Sequence, residues 1–325
     1  MKVTIIGTGA YGIALAHNIN KNHHDITMWT ESEKKLEEWK KTKKLESVMP
    51  DYPFPKDIKV TDSLSMALND TDAIVISCGS KYVSNMAKEI KPFYKPNTPI
   101  CIATKGLDEE TCNPLSVVVK NTLKAKNIAV ISGPTFAVDM IHNDPVALAI
   151  ATSNYTTYHI FVDLLANDRL KLRKSRNMLG VQLCGSVKNV IAIASGILSG
   201  LGYSESTTAF LINESLHEIK HMIKYLGGNP KTILSYAGVG DLLMTCMSKK
   251  SRNYSFGYVI GHEKDKKKVQ EYLDNNTVEG YNTLKAIISL NQRHNIKIEL
   301  INLINEIVDG NKSPEELVTY LINKE

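Results

Sequence analysis

The chain has 325 residues, enough for two domains with separate cores. Its 43% hydrophobic and 22% charged residues make an ordinary soluble composition. A net charge of +5, spread over scattered lysines, fits either a basic cleft for an anionic substrate or a plain solvated surface. No aromatic-rich basic stretch accompanies it, so nucleic acid is not an expected partner.

In chain order, "KVTII" (2–6) predicts a strand, residues 12–22 a helix, and "DITMW" (25–29) a second strand. A charged helix is expected over 32–43. The runs "IKV" (58–60), "AIVIS" (73–77), "PICIAT" (99–104), "IAVIS" (128–132) and "VALAIAT" (146–152) predict further strands. Such near-continuous apolar strands fit a sheet covered on both faces. Their alternation with helical stretches argues for an open α/β domain over residues 1–180. After "LKLRKS" (170–175) the pattern turns helical, and 181–325 reads as an all-α domain. Helices are expected at 187–199, 205–226, 281–293, 297–308 and 314–323, the last capped by Ser313 and Pro314. The charged stretch 262–276 reads as surface helix and loop.

Five cysteines, at 78, 101, 112, 184 and 246, show no paired ligand spacing, and no metal site is expected. The odd count, with no signal-like segment at the start, predicts reduced thiols and a cytoplasmic protein. The longest later apolar run, near 190–198, is too short for a membrane span, so no stable insertion is expected.

"GTGAYG" places Gly7, Gly9 and Gly12 in the order G-x-G-x-x-G, with a strand before and a helix after. Gly7 permits a tight turn, Gly9 lets backbone approach a pyrophosphate, and Gly12 allows close helix–strand packing. The competing reading is a purely structural turn. Glu31 lies 24 residues after Gly7, where a ribose-binding acid is expected. An acid there repels a 2′-phosphate and favours NAD over NADP, although Lys34 and Lys35 nearby weaken the argument. Glu31 is equally placed to cap the next helix.

In "VQLCGSVKNVIAIASGILSGLG" (181–202), Lys188 and Asn189 stand at the head of an apolar helix. A lysine desolvated there has its pKa lowered, while a nearby carboxylate raises it. It would protonate an oxygen as hydride reaches the adjoining carbon, or stabilise the alkoxide as a cation. Alone, a lysine at such a place is more often an ordinary surface residue. In "AGVGDLLMTCMSKKSRNYSFG" (237–257), Asp241, Thr245, Arg252 and Asn253 form a dense polar group. The guanidinium fork suits phosphate. A capped turn with a surface arginine is the plainer alternative.

Together, "GTGAYG" (7–12), "ATKGL" (103–107), "SGPTFA" (132–137), "KNVIAIASGI" (188–197), "GVGDLLMTC" (238–246), "SRNYSFG" (251–257) and "VEGYNT" (278–283) resemble the soluble NAD(P)-dependent glycerol-3-phosphate dehydrogenases of bacteria over nearly the whole chain. The resemblance implies a Rossmann-type cofactor domain and a helical substrate domain closing over a cleft, in a homodimer. It also implies reversible reduction of dihydroxyacetone phosphate to sn-glycerol 3-phosphate for glycerophospholipid synthesis. By the same resemblance Lys188, Lys105 and Asp241 are catalytic. Lys105, Gly133, Asn189, Thr245, Arg252 and Asn253 contact the substrate, with Pro134 in the same loop as Gly133. Gly7, Gly9, Ala10, Tyr11, Gly12, Glu31, Ala137, Arg252 and Glu279 serve the dinucleotide, NAD with NADP as an alternative.

The chain departs from the family pattern at several points. Tyr11 replaces a tryptophan, and "ISCGS" (76–80) replaces a Val-Pro-Ser run. Thr30 and Glu31 stand where an arginine is usual, and "LESVMP" (45–50) is a degraded cleft-mouth segment. Val181–Leu183 replace an acid and glycines. Two alternatives stay open: a related two-domain reductase of another small keto substrate, and a non-catalytic NAD-binding regulatory protein.

Overall fold

The computed structural model describes residues 1–50, 52, 54, 55 and 57–324. By its contacts the chain divides into two units, Met1–Thr104 with Leu115–Met178, and Lys105–Pro114 with Leu179–Glu325. The short segment that follows the fifth strand therefore groups with the second half of the chain.

The first unit is a Rossmann-type sheet wound by helices. In chain order it holds β1 (Lys2–Ile6), α1 (Ala10–Lys21), β2 (Asp25–Trp29), α2 (Glu33–Thr42), β3 (Lys59–Thr61), α3 (Leu64–Leu68), β4 (Ala73–Ile76) and α4 (Ser80–Ile90). There follow β5 (Ile100–Ile102), α5 (Leu115–Leu123), β6 (Ile128–Ser132), α6 (Ala137–Ile141), β7 (Val146–Ala151), α7 (Tyr155–Leu165) and β8 (Leu170–Ser175). The eight strands lie in the order β3-β2-β1-β4-β5-β6-β7-β8. All neighbours run parallel except β6 and β7, which are antiparallel with Val130 opposite Ala151.

Every residue of β4 and β6 is buried, which accounts for their unbroken apolar runs. In the register, Ile6 of β1 lies beside Trp29 of β2 on one side and Ile76 of β4 on the other. The chain reverses its winding direction at β1 and β4, the position where open α/β sheets take ligands. Leu45 and Met49, from the stretch read as a degraded cleft-mouth segment, are buried in this unit's core with Tyr52 and Phe54.

The second unit is helical: α8 (Met178–Gly200), α9 (Glu205–Tyr225), α10 (Asp241–Cys246), α11 (Arg252–Glu263), α12 (Lys266–Asn275), α13 (Glu279–His294), α14 (Glu299–Val308) and α15 (Glu316–Asn323). A 3-10 turn, Pro230–Leu234, and a wide π-type turn, Tyr236–Gly240, lead into α10.

Two sequence expectations need correction here. The helix expected at 187–199 begins nine residues earlier, at Met178, so Lys188 and Asn189 sit in mid-helix rather than at its head. The polar residues upstream do not break it, because the Ser186 hydroxyl donates to the Gln182 carbonyl one turn back, at 2.7 Å. At its full length this helix is long and apolar enough to cross a membrane, unlike the short run near 190–198, yet the whole apolar stretch is buried inside the protein. The last helix starts at Glu316 and not at 314, since Ser313–Glu315 form a turn before it.

α8 and α11 approach backbone to backbone. A Cβ on Gly196 would fall 1.9 Å from the Tyr254 carbonyl oxygen, and one on Gly257 would fall 1.9 Å from that of Ile193. Gly200 and Gly261 repeat the contact one turn on. Small residues four apart on both helices thus bring α11 against the C-terminal third of α8.

Candidate active site

In the first unit the glycine motif forms the turn between β1 and α1. Gly7 has φ +117°, a conformation L side chains rarely adopt, and a Cβ there would also press on Cys78 N at 3.0 Å. A Cβ on Gly12 would lie 2.4 Å from the Gly7 carbonyl oxygen and 2.7 Å from Ser77 Oγ. Around Gly9 nothing lies within 4 Å of the site a Cβ would take, so the face above the turn is open backbone. Gly9 also heads α1 without a side-chain cap, leaving the positive end of the helix dipole for an external anion. An open cradle, an uncapped helix end and a strand reversal beside it fit the pyrophosphate of a dinucleotide.

The neighbouring residues close around this turn. Thr8 Oγ1 donates to Thr30 Oγ1 at 2.8 Å, fixing the turn to the end of β2. Ser32, not Glu31, caps α2 by accepting from Lys35 N, so the capping alternative for Glu31 does not hold. Glu31 itself is exposed. Tyr11 and Thr135 share a hydroxyl–hydroxyl bond of 3.0 Å, a link that tryptophan has no oxygen to make. That bond ties Ala10, Tyr11 and Gly12 to the loop carrying Gly133 and Pro134 and leading to Ala137 at the start of α6. Gly133 is packed tightly, 2.7 Å from its would-be Cβ to the Ala147 carbonyl oxygen.

The second unit gathers charge. Asp241 is fully buried at the first position of α10. Its Oδ1 accepts from Lys188 Nζ at 2.5 Å and its Oδ2 from Lys105 Nζ at 2.7 Å. Lys188 also donates to Thr245 Oγ1 at 2.8 Å, and Thr245 donates to the Asp241 carbonyl at 2.7 Å. The Lys188 side chain is 6% exposed and that of Lys105 14%, so neither is a plain surface lysine. Burial lowers the Lys188 pKa to about 8; Asp241 works against that fall, and the Lys105 ammonium adds to it.

With both lysines protonated, two cations share one carboxylate, and the trio carries a net charge of +1. Removing such a group from water costs several kcal/mol per ion and returns little stability, so its value lies in chemistry. The turn before α10 aims the carboxylate. Gly238 adopts non-helical angles, and a Cβ there would fall 2.0 Å from the Ile233 carbonyl oxygen. Ser195 of α8 pins the other end of α10 by donating to the Cys246 carbonyl at 2.6 Å.

A second cluster holds amides. Asn253 is buried in the first turn of α11, and its Oδ1 accepts from Gly280 N at 2.8 Å, which leaves the amide NH2 for other partners. Asn189 Nδ2 is buried with no hydrogen-bond partner. An unsatisfied donor of this kind costs roughly 1–3 kcal/mol unless a ligand accepts from it. Arg252, one residue away, is exposed, and Ser251 caps the helix by accepting from Tyr254 N at 3.3 Å. Glu279 opens α13 and is half-buried. Gly280 beside it is a site position outside those the sequence singles out; a Cβ there would meet the Asn189 carbonyl oxygen at 2.6 Å and Asn253 Oδ1 at 2.8 Å. The signal for it was its place in "VEGYNT", directly after the acid.

Comparison with known proteins matches the two halves of the chain to two family models. Residues 2–158 match the family described as NAD-dependent glycerol-3-phosphate dehydrogenase N-terminus, and residues 177–319 match the corresponding C-terminus. The glycerol-3-phosphate dehydrogenase [NAD(P)+] of Fusobacterium nucleatum is 33% identical over 99% of this chain and 96% of its own. That of a Thermoanaerobacter species is 32% identical over 100% of this chain and 98% of its own. The crystal structure of glycerol-3-phosphate dehydrogenase from Coxiella burnetii superposes with a TM-score of 0.94, at 31% identity and 99% coverage of both chains.

Proposed function

The chain belongs to the NAD-dependent glycerol-3-phosphate dehydrogenase family, and from that premise we propose that it catalyses reversible hydride transfer between NAD(P)H and dihydroxyacetone phosphate. The product, sn-glycerol 3-phosphate, feeds glycerophospholipid synthesis. The observation that carries this reading is the buried Lys105–Asp241–Lys188 group, a proton donor and a spare positive charge held on one carboxylate.

When bound, the nicotinamide supplies the hydride to C2 of the ketone, or takes it from the alcohol. The open turn at Gly7, Gly9 and Gly12, with Ala10 and Tyr11, holds the pyrophosphate; Glu31, Ala137 and Glu279 add contacts to the dinucleotide. Arg252 and the free amide of Asn253 receive the substrate phosphate, Arg252 also reaching the cofactor. Asn189 Nδ2 donates to a substrate oxygen and so loses its orphaned state. Gly133 gives backbone to the substrate without steric bulk.

Lys188 and Lys105 face the carbonyl oxygen. Their net charge of +1 with Asp241 matches the single negative charge that develops there. Lys188 then passes its proton to that oxygen, and in the reverse direction its neutral amine removes it. A pKa lowered to about 8 leaves both forms accessible at working pH. Asp241 keeps the two ammonium groups oriented, and Thr245 fixes the position of Lys188 Nζ. The protein acts as a cytoplasmic homodimer.

The test is loss of absorbance at 340 nm when purified protein and NADH or NADPH meet dihydroxyacetone phosphate. Fast decay with the phosphorylated ketone and little with dihydroxyacetone is the expected result. No decay with either cofactor, despite measured binding, would favour the non-catalytic alternative; activity on ketopantoate instead would favour the other reductase.

A further inference from the structure

Resting on that cofactor reading, we propose that Lys35 is the residue through which this chain accepts a 2′-phosphorylated dinucleotide, by pairing with the phosphate on the adenosine ribose. Lys35 lies in the first turn of α2, and its side chain doubles back so that Nζ reaches the Thr8 carbonyl, inside the glycine turn, at 3.5 Å. Thr8 is bonded to Thr30, and Thr30 Oγ1 accepts from Ser32 N at 3.2 Å. The glycine turn, the end of β2 and the head of α2 are thus one hydrogen-bonded structure, and the Lys35 ammonium is attached to it. The adenosine ribose of a dinucleotide meets a fold of this type at that place.

The ammonium lacks a counter-ion. No ion pair to Lys35 is found among the described residues. Glu38, the acid nearest to it in charge effect, has both carboxylate oxygens engaged by Ser47, one by its N at 2.9 Å and the other by its hydroxyl. Lys35 is half-buried, and burial lowers its pKa, with Glu38 only partly offsetting the fall. A single long bond to a carbonyl leaves two of its three donors to give. A half-withdrawn cation with spare donors and no internal counter-ion is suited to an anion from outside.

Glu31 argues the other way, because a carboxylate suits a 2′-hydroxyl and repels a phosphate. It is exposed, however, and its charge is screened by water, whereas the Lys35 charge acts through a lower effective dielectric. The two residues serve different cofactors, Glu31 suiting the hydroxyl of NAD(H) and Lys35 the phosphate of NADP(H). The arginine usual after β2 is then replaced in function by a lysine four residues further along.

Calorimetric titration separates this from a purely supporting role for Lys35. NADH, NADPH, adenosine 2′-monophosphate and adenosine 5′-monophosphate are titrated into wild-type protein, Lys35→Gln and Lys35→Arg. Lys35→Gln removes the charge and keeps a polar side chain one atom shorter than that of lysine. Expected is binding of both cofactors by wild type, with NADPH and adenosine 2′-monophosphate weakened about tenfold or more in Lys35→Gln. NADH and the 5′-monophosphate should be unchanged there, and Lys35→Arg should retain NADPH. Equal weakening of NADH and NADPH would overturn the proposal and make Lys35 a prop for the turn. Wild type binding NADH but not NADPH would overturn it and leave the dehydrogenase reading intact. Wild type binding neither would overturn the cofactor reading itself.

Discussion

The two units prepare for ligands in opposite ways. Around the glycine turn, room is made by leaving side chains out: Gly9 is open above, and Gly7 and Gly12 admit no Cβ. Around Asp241, three charged groups are packed into a nearly dry interior. The first site uses backbone dipoles and shape, so its failures should be failures of binding. The second holds a desolvated proton donor, so its failures should be failures of turnover.

The largest effect should come from the second site. Lys188→Met removes the proton donor and half of the cationic pair, and kcat should fall about 10²–10⁴-fold with little change in NADH affinity. Steady-state kinetics beside a cofactor titration would show it; near-normal turnover would remove Lys188 from its role. Next is Gly12→Ala. Its methyl group strikes the Gly7 carbonyl at 2.4 Å and must push α1 off the turn. NADH binding should weaken by about tenfold or more, at the order of cost that overpacking carries. A retained dissociation constant would show that the turn does not hold the dinucleotide.

Arg252→Ala tests the phosphate arm, and KM for dihydroxyacetone phosphate should rise about 10–100-fold, the loss expected for a charge-assisted pair. If selectivity over dihydroxyacetone stays the same, the phosphate is held elsewhere. The smallest expected effect is that of Tyr11→Phe, which removes the hydroxyl bonded to Thr135 at 3.0 Å. Cofactor affinity should drop by a few-fold, in keeping with about 1 kcal/mol for a neutral hydrogen bond. A loss as large as that of Gly12→Ala would mean that the Gly133 loop, not the turn, dominates binding.

Legibility in the sequence also differed between the two regions. The first unit can be read almost strand by strand, because its central strands β1, β4 and β6 are buried on both faces and print as apolar runs that lead into glycine turns. Helices α4 and α5 leave no clear sequence signal, since "SKYVSNMAKEI" and "LSVVVKNTL" mix apolar and polar residues without a clear cap. In the second unit, the start of α8 is masked in the sequence, because glycines and polar residues at 180–186 resemble a boundary while bonds within the helix absorb them. That Lys188 and Asp241 belong together followed only from resemblance. Fifty-three residues separate them, and no local pattern encodes a contact made through the wide turn at Gly238. Gly196, Gly200, Gly257 and Gly261 do leave a legible sign of helix contact, two small residues four apart on each of two helices.

The most direct test of the buried trio is the pH dependence of kcat/KM in both directions, for wild type, Lys105→Met and Asp241→Asn. Lys188 must be protonated to reduce the ketone and neutral to oxidise the alcohol. Reduction should therefore fall, and oxidation rise, as pH passes about 8 in the wild type. Lys105→Met removes a cation that lowers the Lys188 pKa, so its midpoint should move up; Asp241→Asn removes the anion that raises it, so its midpoint should move down. A midpoint unmoved by either change, or moved in the opposite senses, would contradict the assignment of Lys188 as the proton donor tuned by its two neighbours.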